Sequence, residues 1–420
     1  MAALLVFIVF VILVLLGIPI AVSMALGAAA PVLILGSGGS LAQIINNCFS
    51  GANSTPILAV PLFILAGVLM AEGGISGRLF KVFAFFVGRF PGGMPCACVL
   101  TCLFYGAISG SGPATTAAVG AMCLPILTDL GYDKVKMAGL IAVAGGLGVI
   151  IPPSIPFVLY SLATGVSTGD LFIAGIVPGI IIALLLMGYA VYSARISGEN
   201  RQLIDERLSE IRAAGLAKLL KESFWALLSP VIVLGGIYSG YFTPTEAASI
   251  SAVYALIVSL FFYKTISIKE LPAFFAKAVS SYAPLAFVLA FATAFGRVLS
   301  LTGAASAVQD FMLNSFSGPA GFMAVTIILF LALGMIMDTG PAIIILAPLL
   351  LPIATALGID SVKYGVILVC CLSIGLATPP FGLDLFVASG LSGEKPMAVA
   401  KNALPYIITF VISLLIIAMI

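Results

Sequence analysis

Twelve of the thirty residues from Leu124 to Pro153 recur without a gap 227 positions later, between Leu351 and Pro380. The chain is an internal duplication, and any fold it adopts must use the same plan twice. The retained residues include Pro125, Gly131, Asp133, Val135, Lys136, Gly148, Pro152 and Pro153, which match Pro352, Gly358, Asp360, Val362, Lys363, Gly375, Pro379 and Pro380. Helix breakers and charges kept at fixed spacing inside apolar sequence point towards a transporter.

Only 8% of the 420 residues are charged, 62% are hydrophobic and the mean hydropathy is +1.27, which excludes an ordinary soluble domain. Apolar runs of about 20 residues, long enough to cross a bilayer as helices, recur along the whole chain. The fold class is therefore an all-α polytopic membrane protein rather than an outer-membrane barrel of short alternating strands. The first run, Leu4 to Leu16, has no basic leader and no small-residue cleavage site, so it reads as a retained helix. The seven cysteines lie in apolar surroundings and the chain has no histidine, so they read as small packing residues rather than metal ligands. No cofactor is expected, and the net charge of +2 carries no sign of a nucleic-acid partner.

Breakers divide the apolar sequence into two similar sets of spans. The first repeat, residues 1–193, is expected to hold helices near Leu4–Leu16, Ile20–Leu35, Pro56–Ala71 and Leu171–Tyr192. It also has a re-entrant hairpin over about 95–130, interrupted at Ser109–Pro113, and a broken helix over about 134–164. The second repeat, residues 223–420, is expected to hold helices at Phe224–Tyr238, Thr245–Phe262, Tyr282–Ser300 and Leu404–Ile420, a hairpin over about 319–357 and a broken helix over about 363–389. Five crossings per half make the two repeats inverted relative to each other. With the N-terminus outside, 16 of the 18 basic residues fall on the cytoplasmic side, leaving Lys363 outside and Arg297 near a helix end. Both termini are thus expected to be periplasmic. The linker 194–222 has Leu203, Ile204, Leu208, Ile211, Leu219 and Leu220 at helical spacing and reads as an interfacial amphipathic helix whose charges form either a solvated face or a specific docking surface. Leu41–Phe49 and Ile268–Ala278 read as matching arm helices lying flat on the membrane.

Each repeat carries a glycine-rich turn followed, about forty residues later, by a double proline. Proline removes a backbone donor and glycine permits tight turns, so both interrupt a helix. Backbone groups freed at membrane depth cannot face lipid and must be buried in protein or used on a bound solute. In the first repeat the elements are Gly106–Pro113 and Gly145–Ser154; in the second they are Gly334–Pro341 and Gly375–Phe381. Inverted repeats with discontinuous helices are a recurring construction of secondary transporters, in which carbonyl ends hold cations and amino ends face anionic groups.

Together with Phe242-Thr243-Pro244-Thr245-Glu246-Ala247-Ala248, these breaks resemble the large membrane (M) subunit of tripartite ATP-independent periplasmic (TRAP) transporters, over essentially the whole chain. On its own, Thr243–Glu246 reads as a helix start, so Glu246 is first a structural residue. The resemblance implies an inner-membrane sodium symporter that imports an organic acid with a small membrane (Q) subunit and a periplasmic substrate-binding protein. It also implies an elevator mechanism, in which a transport domain of hairpins and broken helices slides against a scaffold. Carried over motif by motif, one sodium site would use Gly106, Ser109 and Ser111 with Gly148, Pro152 or Ser154. The other would use Gly334 with Gly375, Thr378 and the carbonyl of Phe381. Carbonyl and hydroxyl oxygens suit a hard cation. The family carries sialic acid and other sugar acids, dicarboxylates and keto acids, with the stretch after Phe381 leaning towards sialic acid.

Ionisable residues inside a membrane are costly and mark candidate functional positions. Asp338 either binds a cation or caps the next helix through Thr339. Asp384, where the family commonly has asparagine, either adds an ion or proton site or replaces the asparagine in a hydrogen bond. Arg297 either meets a substrate carboxylate or snorkels to the interface. No enzymatic constellation is present, since Ser109 and Ser111 have no nearby lysine to activate them. The alternative reading is a stand-alone divalent-anion/sodium symporter of similar architecture.

Overall fold

The computed structural model describes residues 2–53, 55–303 and 318–419, and within them every regular element is helical. The first copy begins with α1 (Ala2–Leu15), α2 (Ile20–Leu35) and α3 (Leu41–Ala52). It continues through α4 (Ala59–Glu72) and α5 (Ile75–Val87), which are bent by 69°. The hairpin is α6 (Gly93–Ser109) with α7 (Gly112–Asp129). The broken helix is α8 (Lys134–Gly145), a single turn α9 (Leu147–Ile150) and α10 (Ile155–Thr164), bent by 44° at the double proline. α11 (Thr168–Ser197) closes the copy and α12 (Arg201–Ala213) forms the linker. The second copy runs α13 (Leu216–Tyr238), α14 (Pro244–Ile257), α15 (Leu271–Leu301), the hairpin α16 (Pro319–Gly334) and α17 (Thr339–Ala356), the broken helix α18 (Ser361–Gly375) and α19 (Leu383–Ser392), and α20 (Pro396–Met419). Ile420, the last residue of the final expected span, lies outside the described residues. Six described helices are long and apolar enough to cross a membrane, or up to eight if each bent pair is one span.

The duplication is written into the helix starts as well as the breaks. Asp133 caps α8 by accepting from the Lys136 amide, and Asp360 caps α18 by accepting from the Val362 and Lys363 amides. Each cap follows a glycine with positive φ, Gly131 or Gly358. Ser40 with Gln43, and Ser267 with Glu270, form reciprocal capping boxes that satisfy two otherwise free amides each. The second arm differs from expectation: only a short turn, Ile268–Glu270, precedes α15, and the chain then runs continuously for 31 residues. Leu271 follows directly on that turn and no glycine interrupts the chain before Gly296, so nothing stops the helix where Ala52 and Asn53 end α3. The helix α5 was not expected at all. Its 13 residues are too short to span and carry Arg78 and Lys81, yet Ile75, Leu79, Phe80, Val82 and Ala84 bury one face at helical spacing.

Packing between copies is reciprocal. α4 packs on α14 and α15 packs on α2, which are equivalent pairings; the first broken helix, through α10, packs on the second hairpin, while α19 packs on α7. The second half of each broken helix is therefore covered by the other copy's hairpin. The linker is amphipathic as expected, with Ile204, Leu208 and Ile211 buried, although Leu203 and Leu220 are exposed. Its charges are not all solvated. Glu199 accepts from the Gly92 amide at 2.8 Å and from the Tyr132 hydroxyl, and pairs with Arg201 at 2.6 Å. One carboxylate, only 4% exposed, thus fastens the linker to the start of the first hairpin and to the loop before α8.

Candidate functional site

The two breaks meet the two hairpins through glycine, because only glycine lets backbones approach this closely. A carbon added at Gly106 would lie 2.7 Å from Gly148 Cα, and one added at Gly375 would lie 2.5 Å from Gly334 Cα. These pairs occupy corresponding places in the two copies, and the peptide bonds Pro152–Pro153 and Pro379–Pro380 are both cis. The copies also touch each other at the breaks. The Ser373 hydroxyl donates to the Gly146 carbonyl at 2.7 Å, across a separation of 227, so the two residues stand at equivalent positions of the repeat.

Oxygen atoms collect beside the first glycine pair. Ser109 Oγ lies 2.7 Å from Thr115 Oγ1 and donates to the Ser111 carbonyl at 3.3 Å. Those last two oxygens would be 2.3 and 2.6 Å from a carbon added at Gly148, and the Pro153 carbonyl approaches Gly110. Gly110, at φ 63°, turns the chain so that its carbonyl accepts from the Ile155 amide at 3.2 Å, which ties the hairpin tip to α10. Hydroxyls and carbonyls without nitrogen or sulfur form a donor set fitted to a hard cation. Thr115 is fully buried and was missed in the sequence; the signal was its place one turn beyond the Ser109–Pro113 break, on the face that returns towards the tip. Ser154, by contrast, turns its hydroxyl to the Val149 carbonyl and caps α10 through the Phe157 amide at 3.4 Å. Pro152 is buried beside it.

In the second copy the carbonyls of Leu376 and Thr378 would lie 2.4 and 2.8 Å from a carbon added at Gly382, next to Phe381. The Thr378 hydroxyl turns away and donates to the Ile374 carbonyl at 2.7 Å. Phe381 has its ring exposed. Asp338 takes the capping role: its Oδ1 accepts from the Thr339 amide at 2.7 Å. Asp384 is fully buried, and neither carboxylate oxygen has a hydrogen-bond partner. Its amide donates to the Leu376 carbonyl at 2.9 Å, next to the second glycine pair, while its side chain crosses to the first hairpin, where its oxygens would lie 2.9 and 3.2 Å from a carbon added at Gly112.

Both hairpin tips open on one cavity of about 680 Å³. Ser109, Gly110 and Ser111 line it from the first tip, and Asp338, Thr339 and Gly340 from the second. Val149, Ile155, Pro156 and Leu159 contribute from the first broken helix, with a stripe of Ala114, Ala117, Ala118 and Ala121 along α7. The opposite wall is α4 and α15, with Gly67, Glu72, Lys277 and Ser281. Lys277 and Glu72 pair at 2.9 Å across that wall. Lys277 is thus the cation at the cavity. Arg297 is exposed elsewhere on α15 and does not line the cavity.

An all-helical membrane chain with two broken helices and two hairpins around a central cavity is a secondary-transporter architecture. The family model "Tripartite ATP-independent periplasmic transporter, DctM component" matches residues 7–420, and the chain belongs to that family as its large membrane subunit. A C4-dicarboxylate TRAP transporter large permease protein of Vibrio cholerae is 37% identical over 97% of this chain and 93% of its own length. An isethionate TRAP transporter permease protein of Oleidesulfovibrio alaskensis is 39% identical over 95% of this chain, which spans 62% of that relative's length. The fold is shared with the YdaH transporter of Alcanivorax borkumensis at 15% identity, with a TM-score of 0.60 covering 90% of this chain and 86% of that one.

The glycine contacts yield a direct expectation. Gly375→Ala forces a methyl group into the Gly334 backbone and should cost roughly 1–3 kcal/mol of stability together with uptake. Gly390→Ala, in an exposed helical position where an added carbon meets nothing within 4 Å, should leave stability unchanged or raise it by up to about 1 kcal/mol. Thermal unfolding of the two purified variants compares them.

Proposed function

We propose that this chain is the membrane-embedded permease of a sodium-coupled importer of small organic acids. It would work in the bacterial inner membrane with a small membrane subunit and a periplasmic binding protein that delivers the substrate. The observation that carries this reading is the cavity shared by both hairpin tips, with a hydroxyl and carbonyl cluster immediately behind the first. Sodium is a transported co-substrate in this scheme. The cluster of Ser109, Ser111 and Thr115 with Gly148 would take one ion, and the Leu376 and Thr378 carbonyls near Gly334 and Gly375 would take another. Ions there would hold each tip against its break, so that substrate meets a completed cavity. The two copies would have inverted topology, and the hairpins and broken helices would move together against α4, α14 and α15 as an elevator.

The acid itself would be recognised in part by Lys277. The Glu72–Lys277 pair is half exposed, and pairs of that kind contribute about 0–1 kcal/mol. A pair this weak offers little resistance to a substrate carboxylate or sulfonate that competes with Glu72 for Lys277. The relatives' names span isethionate, C4-dicarboxylates, ectoine and sialic acid, which supports the class of small organic acids rather than one member.

Reconstituted uptake, with the binding protein present, tests the coupling. Replacing sodium by potassium should abolish concentrative uptake, and Ser109→Ala with Thr115→Ala should raise the half-saturating sodium concentration by about tenfold. Uptake that is indifferent to the cation sinks the proposal. In the same assay Lys277→Gln should raise the half-saturating substrate concentration by about fivefold or more, while Glu72→Gln leaves it unchanged or lowers it. Unaltered affinity in Lys277→Gln would remove that residue from recognition.

A further inference from the structure

A second groove, which shares no lining residue with the central cavity, is lined by Arg78 and Lys81 of α5, by Lys218, Lys221 and Trp225 of α13, and by Tyr263 beyond α14. Glu222 is the single acid on its wall. The walls are fixed relative to each other: the Ser223 hydroxyl donates to the Arg78 carbonyl at 3.2 Å, and the Tyr263 hydroxyl accepts from the Ala226 amide at 3.1 Å. Arg78 is held in place, its Nη1 donating to the Gly73 and Gly74 carbonyls at 2.8 and 3.1 Å and its guanidinium lying 3.8 Å over the Tyr263 ring. The lysines are exposed, and among the described residues none of the three is in an ion pair. Four cations against one carboxylate make an electrostatic trap that no other acid among the described residues fills.

Directly beside the charges the surface turns apolar. Trp225 stacks on Phe262 with ring centroids 3.9 Å apart, and Phe224, Phe261 and Phe262 are all exposed. Lys218 and Lys221 lie in the first two turns of α13, a helix long and apolar enough to span the membrane, so the charged end of the groove stands at the end of a membrane segment and the aromatic end further in. Aromatic rings gather at membrane interfaces, and basic pockets between spanning helices bind lipid head groups. A ligand with a phosphodiester head and an apolar tail fits both halves of the groove, whereas an acidic protein segment would leave the phenylalanine side uncovered.

We infer that this groove is a binding site for an anionic phospholipid, with the phosphate held by Arg78, Lys81, Lys218 and Lys221 and the acyl chains laid over Trp225 and Phe262. The lipid would neutralise a patch of like charge and brace α5, the helix that leads into the first hairpin, against α13.

Trp225 is the chain's single tryptophan, which makes it a reporter inside the site. The full chain is reconstituted in vesicles containing phosphatidylglycerol or phosphatidylcholine with brominated acyl chains, at equal mole fraction, and quenching of its fluorescence is measured. Brominated phosphatidylglycerol should bind beside Trp225 about fivefold or more tightly than brominated phosphatidylcholine. The preference should fall to about onefold in Lys81→Gln/Lys218→Gln/Lys221→Gln and persist in the corresponding triple arginine variant, which controls for folding. Equal quenching by both lipids in the unaltered chain overturns the inference, as does a preference that survives the triple glutamine variant. A further arm adds inorganic phosphate to the vesicles. Loss of the preference at phosphate concentrations comparable to the lipid would reassign the groove to free phosphate, whereas retention supports the lipid.

Discussion

A helix broken inside a membrane has to find partners for the amides and carbonyls it frees, and lipid offers none. At the first break the Ile155 amide donates to the Gly110 carbonyl and the Ser373 hydroxyl to the Gly146 carbonyl, at the second the Asp384 amide donates to the Leu376 carbonyl, and the close backbone approach of Gly106 to Gly148 and of Gly334 to Gly375 holds these segments together. Side chains of any size would hold those segments apart and leave the freed groups in a gap. Much else in the fold follows from keeping these contacts closed. The hairpins turn back at Gly110 and at Asp338, the double prolines redirect the helices, and each broken helix is covered by elements of the other copy.

That arrangement explains why the cavity is where it is. Two hairpin tips brought against two breaks cannot fill the space between them, and the alanine stripe of α7 widens it further. Freed backbone and short hydroxyl side chains then lie beside the cavity, at the first tip already grouped as Ser109, Ser111 and Thr115. In the proposed cycle, ions drawn to those oxygens would complete the binding surface before the acid arrives. Packing and function would thus share one cause, since the residues that close the break also present its oxygens.

Much of this was legible in the sequence because glycine and proline act locally. The helices Gly93–Ser109 and Gly112–Asp129 meet within the glycine-rich Ser109–Pro113, and helices are interrupted around both double prolines, between Ile150 and Ile155 and between Gly375 and Leu383. The glycine pairs brought together were among the residues singled out. What was not legible depended on the partner across the fold. Asp384 lies in sequence next to the second break, yet reaches the first hairpin at Gly112, because α19 packs on α7. Glu199 reads as one charge among many in a polar linker, and only its burial against Gly92 and Tyr132 sets it apart. Thr115 resembles any small helix residue until the tip folds back on it. In the sequence Lys277 reads as a loop charge and Arg297 as a residue near the end of a span; because α15 runs uninterrupted from Leu271, Lys277 lies within the helix and lines the cavity, which Arg297 does not.

The central claim is that sodium binds at the two glycine-paired breaks and holds the tips closed on them. Hydrogen–deuterium exchange of the purified chain, followed by mass spectrometry in sodium and in potassium at equal ionic strength, tests it most directly. The account predicts slower exchange in sodium alone within residues 106–116 and 334–342 and in the breaks that face them. Protection that is absent, or equal in potassium, would contradict it.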